Sequence, residues 1–182
     1  RCTLFERVLG ASFRLLPQEV RSLHAVQHET VYLGYGIVER GTHPVASIVA
    51  AIFGFPKDAQ NIPVKVTITP NQNGETWIRD FAGRKFRSHL SQRRNTPTAI
   101  ITERFGAMAF DLPLVVNDNA LEFPVLKGRV FGVPIPRFLL PKSEAREFVR
   151  DGIFQFDVKL IAPLGIGQIV RYRGYLERQS EG

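Results

Sequence analysis

The spacing of apolar residues changes from helical to alternating within the first forty positions. Leu4, Phe5, Val8 and Leu9 recur at helical intervals up to a break near Gly10. The next segment, LPQEVRSLHAVQH, has a proline where a helix would begin and apolar residues at helical intervals after it. The N-terminal part is therefore predicted to be helical.

The segment ETVYLGYGIVERG then switches to a period of two, which predicts a strand. The apolar residues that this period places on one face are Val31, Leu33, Tyr35 and Ile37. A further helix is predicted after it, because Thr42 and Pro44 are typical of a helix cap and a first turn. This helix is expected to cover Val45, Ile48, Val49 and Ile52 and to end at Gly54 and Pro56.

From Ile62 onward the pattern is mainly that of strands separated by turn residues. PNQNGE separates two alternating segments, and Asp151–Gly152 is the strongest hairpin signal in the chain. Pro113 and Pro124 are expected at an edge, a bulge or a strand end, because proline cannot donate to a ladder. We count eight or nine strands. The predicted fold is α+β, with N-terminal helices packed on a large, curved, mainly antiparallel, open barrel-like sheet.

Composition narrows the class of protein. The 182 residues fit one domain over 1–182, and 44% apolar with 23% charged residues is typical of globular proteins. No apolar run approaches the roughly 20 residues of a membrane span, so none is expected. Because the chain starts at Arg1, we expect a fragment, or the C-terminal part, of a longer chain. Cys2 is the single cysteine, which fits a reducing, cytoplasmic location and excludes an internal disulfide.

Standard catalytic and cofactor motifs are absent from the sequence. GYG and GIG do not have the spacing of a dinucleotide fingerprint, and neither a phosphate-binding loop nor a nucleophile elbow occurs. His24 and His28 are four residues apart, but no third metal ligand accompanies them, so we expect a structural or surface role. No cofactor, metal site or catalytic residue is predicted.

Basic residues are concentrated just after the middle strand segment. They are Arg84, Lys85, Arg87, His89, Arg93 and Arg94. Such a run could contact phosphates, but no recognised nucleic-acid module accompanies it. A charged strand edge with a solvated loop is the preferred interpretation, since edge charges discourage pairing between sheets. No nucleic-acid partner is expected, although the net charge of +7 favours anionic partners in general.

The segment ETWIRDF places Trp77, Arg79 and Phe81 on one face of a strand. A buried guanidinium between aromatic rings needs a partner, and Glu103 is the expected one, in a planar bidentate pair. Otherwise Arg79 would line a cavity and bind an anionic ligand. The candidate ligand-binding residues are Trp77, Arg79, Phe81, Glu103, Arg171 and Tyr172.

Several segments together resemble an uncharacterised bacterial family, domain of unknown function 4166. They are LPQEVRSLH, TWIRDFAGRKFRS, ITERFG, GVPIPRFLLPKSEAREF, DGIFQFDVKLIAPLG and VRYRGYL. The resemblance implies a domain that occurs alone or C-terminal to saccharopine-dehydrogenase-like oxidoreductases, and it implies no activity. The residues it assigns to the recurrent family pattern are Trp77, Arg79, Phe81, Ser88, Glu103, Pro136, Pro141, Asp157, Tyr172 and Gly174.

Three hypotheses about function follow. The first is a binding module with a partly apolar cavity, in which Arg79 holds the head of a small amphipathic anion. The second is an enzyme, or the substrate-side accessory domain of an NAD(P)-dependent oxidoreductase, with a cavity carboxylate such as Glu103 that lacks a cationic partner. The third is a protein interaction module, which an exposed apolar surface around Val133–Leu140 would favour.

Overall fold

The computed structural model describes residues 2–92 and 99–180. Its helical elements are the α-helices α1 (Leu4–Leu9), α2 (Gln18–His24) and α3 (Pro44–Ile52) and the 3-10 helices Gly10–Leu15 and Arg137–Leu139. The strands are β1 (Thr30–Arg40), β2 (Ala59–Pro70), β3 (Gly74–Phe81), β4 (Arg84–Gln92), β5 (Ile100–Phe105), β6 (Met108–Pro113), β7 (Val115–Asn117), β8 (Ala120–Glu122), β9 (Lys127–Val130), β10 (Val133–Pro134), β11 (Lys142–Arg150), β12 (Ile153–Ala162) and β13 (Gly167–Arg178).

All of these strands belong to one sheet, in the order β10-β9-β6-β5-β4-β3-β2-β1-β13-β12-β11-β8-β7. Every neighbouring pair is antiparallel, and the pairing of β1 with β13 joins the two halves. The predicted α+β class with a mainly antiparallel sheet is confirmed. The strand number was underestimated, and the sheet is not closed into a barrel, since β10 and β7 end it.

Two predicted hairpins are present. Asp151 and Gly152 connect β11 to β12 with φ values of 52° and 74°, the left-handed conformation that a two-residue hairpin turn requires. The loop after Pro70 connects β2 to β3 as predicted. Pro113 ends β6 and Pro124 lies just beyond β8, so both prolines avoid the interior of a ladder.

The inner face of β1 is the less apolar of its two faces. Tyr32 and Val38 are buried, whereas Leu33 and Tyr35, on the face identified from the sequence, are exposed. β13 approaches β1 closely on this face: Gly36 lies opposite Gly174, and the buried ring of Phe156 packs over both glycines. A Cβ atom at Gly174 would lie 2.1 Å from the backbone oxygen of Tyr35, so only glycine allows this approach.

Helix α3 begins at Pro44 as predicted. Its N-cap is His43, whose Nδ1 accepts a hydrogen bond from the backbone N–H of Val45 at 3.2 Å. Ala46 and Ala50 are its buried residues, and Val49 packs partly buried against the core, whereas Val45, Ile48 and Ile52 are exposed. The small side chains of Ala46 and Ala50 let the helix lie close to β13, which leaves the larger apolar side chains at its flank and outside.

The N-terminal helices pack against the same core as the sheet. Phe5 of α1 and Leu23 of α2 are fully buried in it. The hydroxyl of Thr3 donates to the backbone oxygen of His24 at 3.0 Å and so connects the start of α1 to the end of α2. This contact fixes the backbone of His24, whose side chain is fully buried.

The basic run begins on a stretch of β4 that has a free edge. β4 pairs with β3 over residues 84–91 but with β5 only over residues 89–92, so Arg84, Lys85 and Arg87 lie where β5 does not pair. All three side chains are exposed. Arg93 and Arg94 lie outside the described residues. The exposed charges of this stretch therefore fit the expected charged strand edge.

Candidate ligand-binding cavity

The sheet and helices enclose a cavity of about 420 Å³, within the range of small-molecule sites. Strands far apart in the sheet order contribute to it, such as β6 through Phe110 and β12 through Phe156. The sheet must therefore curl around this space. Most of the lining side chains are apolar, and the polar ones are His24, Arg79, Glu103, Ser143, Arg146, Glu147 and Tyr172.

Aromatic rings form one wall of the cavity. Phe81 stacks on Phe86 with ring centroids 5.8 Å apart, and Tyr172 meets Phe81 edge to face at 5.4 Å. Phe156 and Phe55 contact Tyr172 at 6.3 and 6.4 Å. Such pairs stabilise the fold by roughly 0.5–1.5 kcal/mol each beyond their buried area. They also form a rigid apolar surface for a ligand.

Arg79 projects from β3 into the cavity. Its Nη2 donates to Oε1 of Glu103 at 3.2 Å, and its Nη1 donates to the hydroxyl of Ser88 at 2.7 Å. The guanidinium carbon lies 4.9 Å from the ring centroid of Trp77 and 5.5 Å from that of Phe86. The predicted partner is present, but through one hydrogen bond, so the expected bidentate geometry was wrong.

This geometry leaves part of the guanidinium available. A guanidinium has five N–H donors in a fixed fork. Within the described part of the chain, Ser88 and Glu103 are the hydrogen-bond acceptors of Arg79. Arg79 is thus both a member of a structural ion pair and a donor toward the cavity.

Tyr172 lies on the inner face of β13, between the aromatic rings and Arg79. Burial raises the pKa of its hydroxyl to about 12, despite the opposing charge of Arg79. The phenol is therefore protonated at neutral pH, and no described residue accepts a hydrogen bond from it. It adds a second donor that faces the cavity beside the guanidinium.

Arg171 does not join this group. It lies on the outer face of β13, where its Nε and Nη2 donate to the two carboxylate oxygens of Asp157 at 2.9 and 2.7 Å. These bonds raise the pKa of the guanidinium above its ordinary value. Of the six candidate residues, Trp77, Arg79, Phe81, Glu103 and Tyr172 line the cavity. Arg171 lies on the other side of the sheet because neighbouring strand residues alternate between faces.

A second polar pair in the cavity was not predicted from the sequence. Nε2 of His24 lies 2.5 Å from Oε2 of Glu147, which reaches it from β11. The imidazole is fully buried between Phe5, with centroids 3.8 Å apart, and Trp77, at 5.6 Å. His24 and Glu147 are 123 residues apart, so no local pattern connects them.

Glu75 lies next to this pair and is fully buried. Its Oε2 accepts a hydrogen bond from Nε1 of Trp77 at 3.0 Å, and burial is the main reason that its pKa is raised. Oε1 of Glu75 and Nδ1 of His24 are buried without a hydrogen-bond partner among the described residues. Trp77 thus connects this polar group to Arg79, because its ring contacts both His24 and the guanidinium.

Two features are absent from residues 2–92 and 99–180. No cluster of three or more His, Cys, Asp or Glu side chains there is suited to hold a metal ion. No helix in these ranges has the length and apolar character needed to cross a bilayer.

Comparison with known families gives the classification. Residues 16–176 match a family described as Domain of unknown function (DUF4166). The chain belongs to the DUF4166 family. No curated protein and no solved structure matches the chain. The cavity residues Trp77, Arg79, Glu103 and Tyr172 all lie within the matched part of this DUF4166 domain, whereas α1 precedes it.

Proposed function

We propose that this DUF4166 domain is a binding module for a small amphipathic molecule with an acidic head and an apolar body. The observation that carries the proposal is a pair of unsatisfied donors in a mainly apolar cavity. These donors are the hydroxyl of Tyr172 and the N–H groups of Arg79 that Ser88 and Glu103 do not use. A few convergent polar groups on an apolar wall are typical of ligand pockets.

The polar and apolar side chains of the cavity suggest which parts of the ligand they would contact. A carboxyl head would accept hydrogen bonds from Arg79 and Tyr172, and an acyl or isoprenoid-like body would contact Phe81, Phe86 and Phe156. Glu103 neutralises much of the charge of Arg79. A head with at most one negative charge therefore fits better than a dianionic phosphate, because an uncompensated buried charge is costly.

The experiment is a fluorescence titration with cis-parinaric acid, a carboxylic acid with a conjugated apolar chain. We expect saturable binding, weakened about threefold to tenfold in Tyr172→Phe, as for the loss of one hydrogen bond. Arg79→Met should weaken binding further because it removes a charged donor. Arg171→Met is the matched control: it removes an arginine from the outer face of β13, the strand of Tyr172, and should leave binding unchanged.

Native mass spectrometry of the purified domain complements the titration. A co-purified acid of matching size would support the proposal. Absence of saturable binding to the wild-type domain, or equal weakening in Arg171→Met and Arg79→Met, would contradict it.

A second candidate is an enzyme, or the substrate-side accessory domain of an NAD(P)-dependent oxidoreductase. The observation that favours it is the His24–Glu147 pair, which lies beside the buried carboxyl of Glu75. These three side chains could exchange protons with one another. However, Glu103 and Glu147 both have basic partners, and the imidazole of His24 has no exposed surface. Turnover of NAD(P)H with an added saccharopine-dehydrogenase-like partner, lost in Glu147→Gln but retained in Arg171→Met, would favour this candidate over the binding module.

A further inference from the structure

Exposed apolar side chains lie where the cavity meets solvent. Val45, Leu139 and Leu164 line the cavity and are nevertheless 43%, 41% and 70% exposed. They come from α3, the second 3-10 helix and the turn between β12 and β13. Adjacent exposed residues on the same elements extend this group. We define the apolar rim as Val45, Ile48, Ile52, Phe138, Leu139 and Leu164.

Helix α3 provides half of the rim and has an unusual composition for an exposed helix. Its only polar side chain is Ser47, and it contains no charged residue. Ala46 and Ala50 are buried against the fold, while Ile48 and Ile52 face solvent. A helix that is apolar on its buried and exposed faces is expected to contact a further apolar phase.

Three chain segments, 40–57, 127–142 and 158–176, carry the rim, and none of the 17 acidic residues of the chain falls within them. Several of their basic residues pair with carboxylates from outside these segments: Arg129, Lys142, Lys159, Arg171 and Arg173. Lys57, Lys127 and Arg137 have no carboxylate within ion-pair distance in the described part of the chain. Cations without partners therefore flank exposed apolar groups.

We infer that the apolar rim docks on the surface of an anionic lipid bilayer and that the cavity exchanges its ligand with the acyl layer there. Apolar side chains that insert at the headgroup boundary, flanked by Lys and Arg, are the chemistry of interfacial membrane binding. The cavity mouth lies within the rim, so docking would place it against the layer in which amphipathic acids dissolve. This inference rests on the proposed function.

The rim also includes part of the surface expected of an interaction module. Val133, Phe138 and Leu139 are exposed, as that hypothesis required. A protein partner or a second copy of the chain is nevertheless less favoured, for two reasons. The open cavity mouth would have no role in such an interface, and the cations Lys57, Lys127 and Arg137 match an anionic surface with no specific pattern of charge.

Vesicle flotation tests the inference. The protein should float with vesicles of phosphatidylcholine and phosphatidylglycerol, and much less with vesicles of phosphatidylcholine alone. Added salt should weaken binding, because the electrostatic part is screened. The rim variant Arg137→Glu with Phe138→Asp should weaken binding by more than about tenfold, since it reverses a charge and removes an inserting aromatic ring.

The chain offers a closely matched control. Arg14 and Leu15 also form an arginine–apolar pair in a 3-10 helix, and neither lines the cavity. Leu15 is 67% exposed and Phe138 is 66% exposed. The double variant Arg14→Glu with Leu15→Asp should therefore float like the wild type. Both double variants should retain the wild-type circular dichroism spectrum and binding of cis-parinaric acid in solution, because the altered side chains are exposed and outside the head site.

The outcomes separate the two proposals. Binding of cis-parinaric acid without flotation would overturn membrane docking and leave the proposed function intact. Flotation without binding of the acid would remove the proposed function and, with it, the exchange of ligand. Equal loss of flotation in both double variants would overturn the assignment of the rim. A dimer in size-exclusion chromatography that only the rim variant dissociates would show that a second copy covers the rim.

Discussion

Arg79 and Glu103 meet across an intervening strand. Arg79 projects from β3 and Glu103 from β5, and the hydrogen bond between Nη2 and Oε1 is 3.2 Å long. The guanidinium passes over β4 at Ser88, whose small side chain leaves room for it and accepts a second hydrogen bond. One arginine therefore links three strands of the cavity wall, which couples the stability of the sheet to the charge of the head site.

Removing the carboxylate should change stability and affinity in opposite directions. Glu103→Gln leaves the charge of Arg79 without its counter-ion, so we expect the free energy of unfolding to fall by about 1–3 kcal/mol. The same change should tighten binding of cis-parinaric acid, because the ligand carboxylate no longer competes with Glu103. Urea denaturation and a fluorescence titration measure the two effects. Glu144→Gln, which removes an exposed carboxylate that pairs with Lys142, should alter neither quantity. Weaker binding in Glu103→Gln would contradict the assigned head site.

The buried carboxyl of Glu75 should make stability depend on pH. Burial raises its pKa above the ordinary value of 4.5, so the folded state holds the proton more tightly than the unfolded state. The resulting stabilisation is fully present below the unfolded pKa and is lost as pH rises through the higher folded pKa. Glu75→Gln keeps an acceptor for Trp77 and should reduce this decline in Tm above pH 4.5.

Trp77 offers an independent readout of the same titration. It is the single tryptophan of the chain, and its indole N–H donates to Glu75. Its fluorescence should therefore change with pH as Glu75 ionises, and this change should disappear in Glu75→Gln. If fluorescence and Tm depend on pH in the same way in the wild type and in Glu75→Gln, the pKa of Glu75 is not raised.

Tyr172 should ionise at a higher pH than an ordinary tyrosine. The chain contains four tyrosines, and burial raises the pKa of Tyr172 to about 12. Because the folded pKa exceeds the unfolded value of 10.0, stability due to the neutral phenol is lost as pH rises from 10 through 12. Phenolate absorbance measured against pH should show an ionisation step at high pH, and Tyr172→Phe should remove this step. An unchanged step at high pH would show that another tyrosine produces it.

Gly174 should tolerate no side chain. A Cβ atom there would meet the backbone oxygen of Tyr35 at 2.1 Å, so β1 and β13 would have to separate. We expect Gly174→Ala to lower the free energy of unfolding by about 1–3 kcal/mol, as measured by urea denaturation. Gly36→Ala is the graded comparison, because its nearest contact is 3.1 Å away and includes a movable side chain of Val64. A smaller loss in Gly174→Ala than in Gly36→Ala would contradict this account.

Local sequence patterns predicted the features that depend on neighbouring residues. Asp151 and Gly152 specify a hairpin through their own backbone preferences, and strand alternation placed Trp77, Arg79 and Phe81 on one face. The pairing of Arg79 with Glu103 could be proposed because a buried guanidinium needs an anion. The number of hydrogen bonds between Arg79 and Glu103 could not be predicted, because it depends on the position of Ser88, which accepts a bond from the same guanidinium.

Choices between two similar faces could not be predicted. Helical spacing groups residues of α3 by face, but both faces are apolar, so the pattern does not say which one packs on β13. Ala46 and Ala50 pack there because small residues allow close approach, and this preference outweighs the greater area of Ile48. The same holds for β1, where the ring of Phe156 packs over Gly36 on the inner face.

Contacts between residues far apart in the sequence could not be predicted from local patterns either. His24 and Glu147 meet only because α2 and β11 pack together, 123 residues apart in sequence. The pairing of β1 with β13 likewise joins the beginning and the end of the chain. A histidine that the sequence assigns to a structural or surface role is thus part of the cavity wall.

The two outer strands of the sheet determine how it can grow. They are β10, with two residues that include Pro134, and β7, with three residues. Each presents few free backbone groups, and proline presents no N–H at all. Short edges, and proline in β10, discourage the addition of further strands. At these two ends the sheet should therefore resist the edge-to-edge association that leads to fibres.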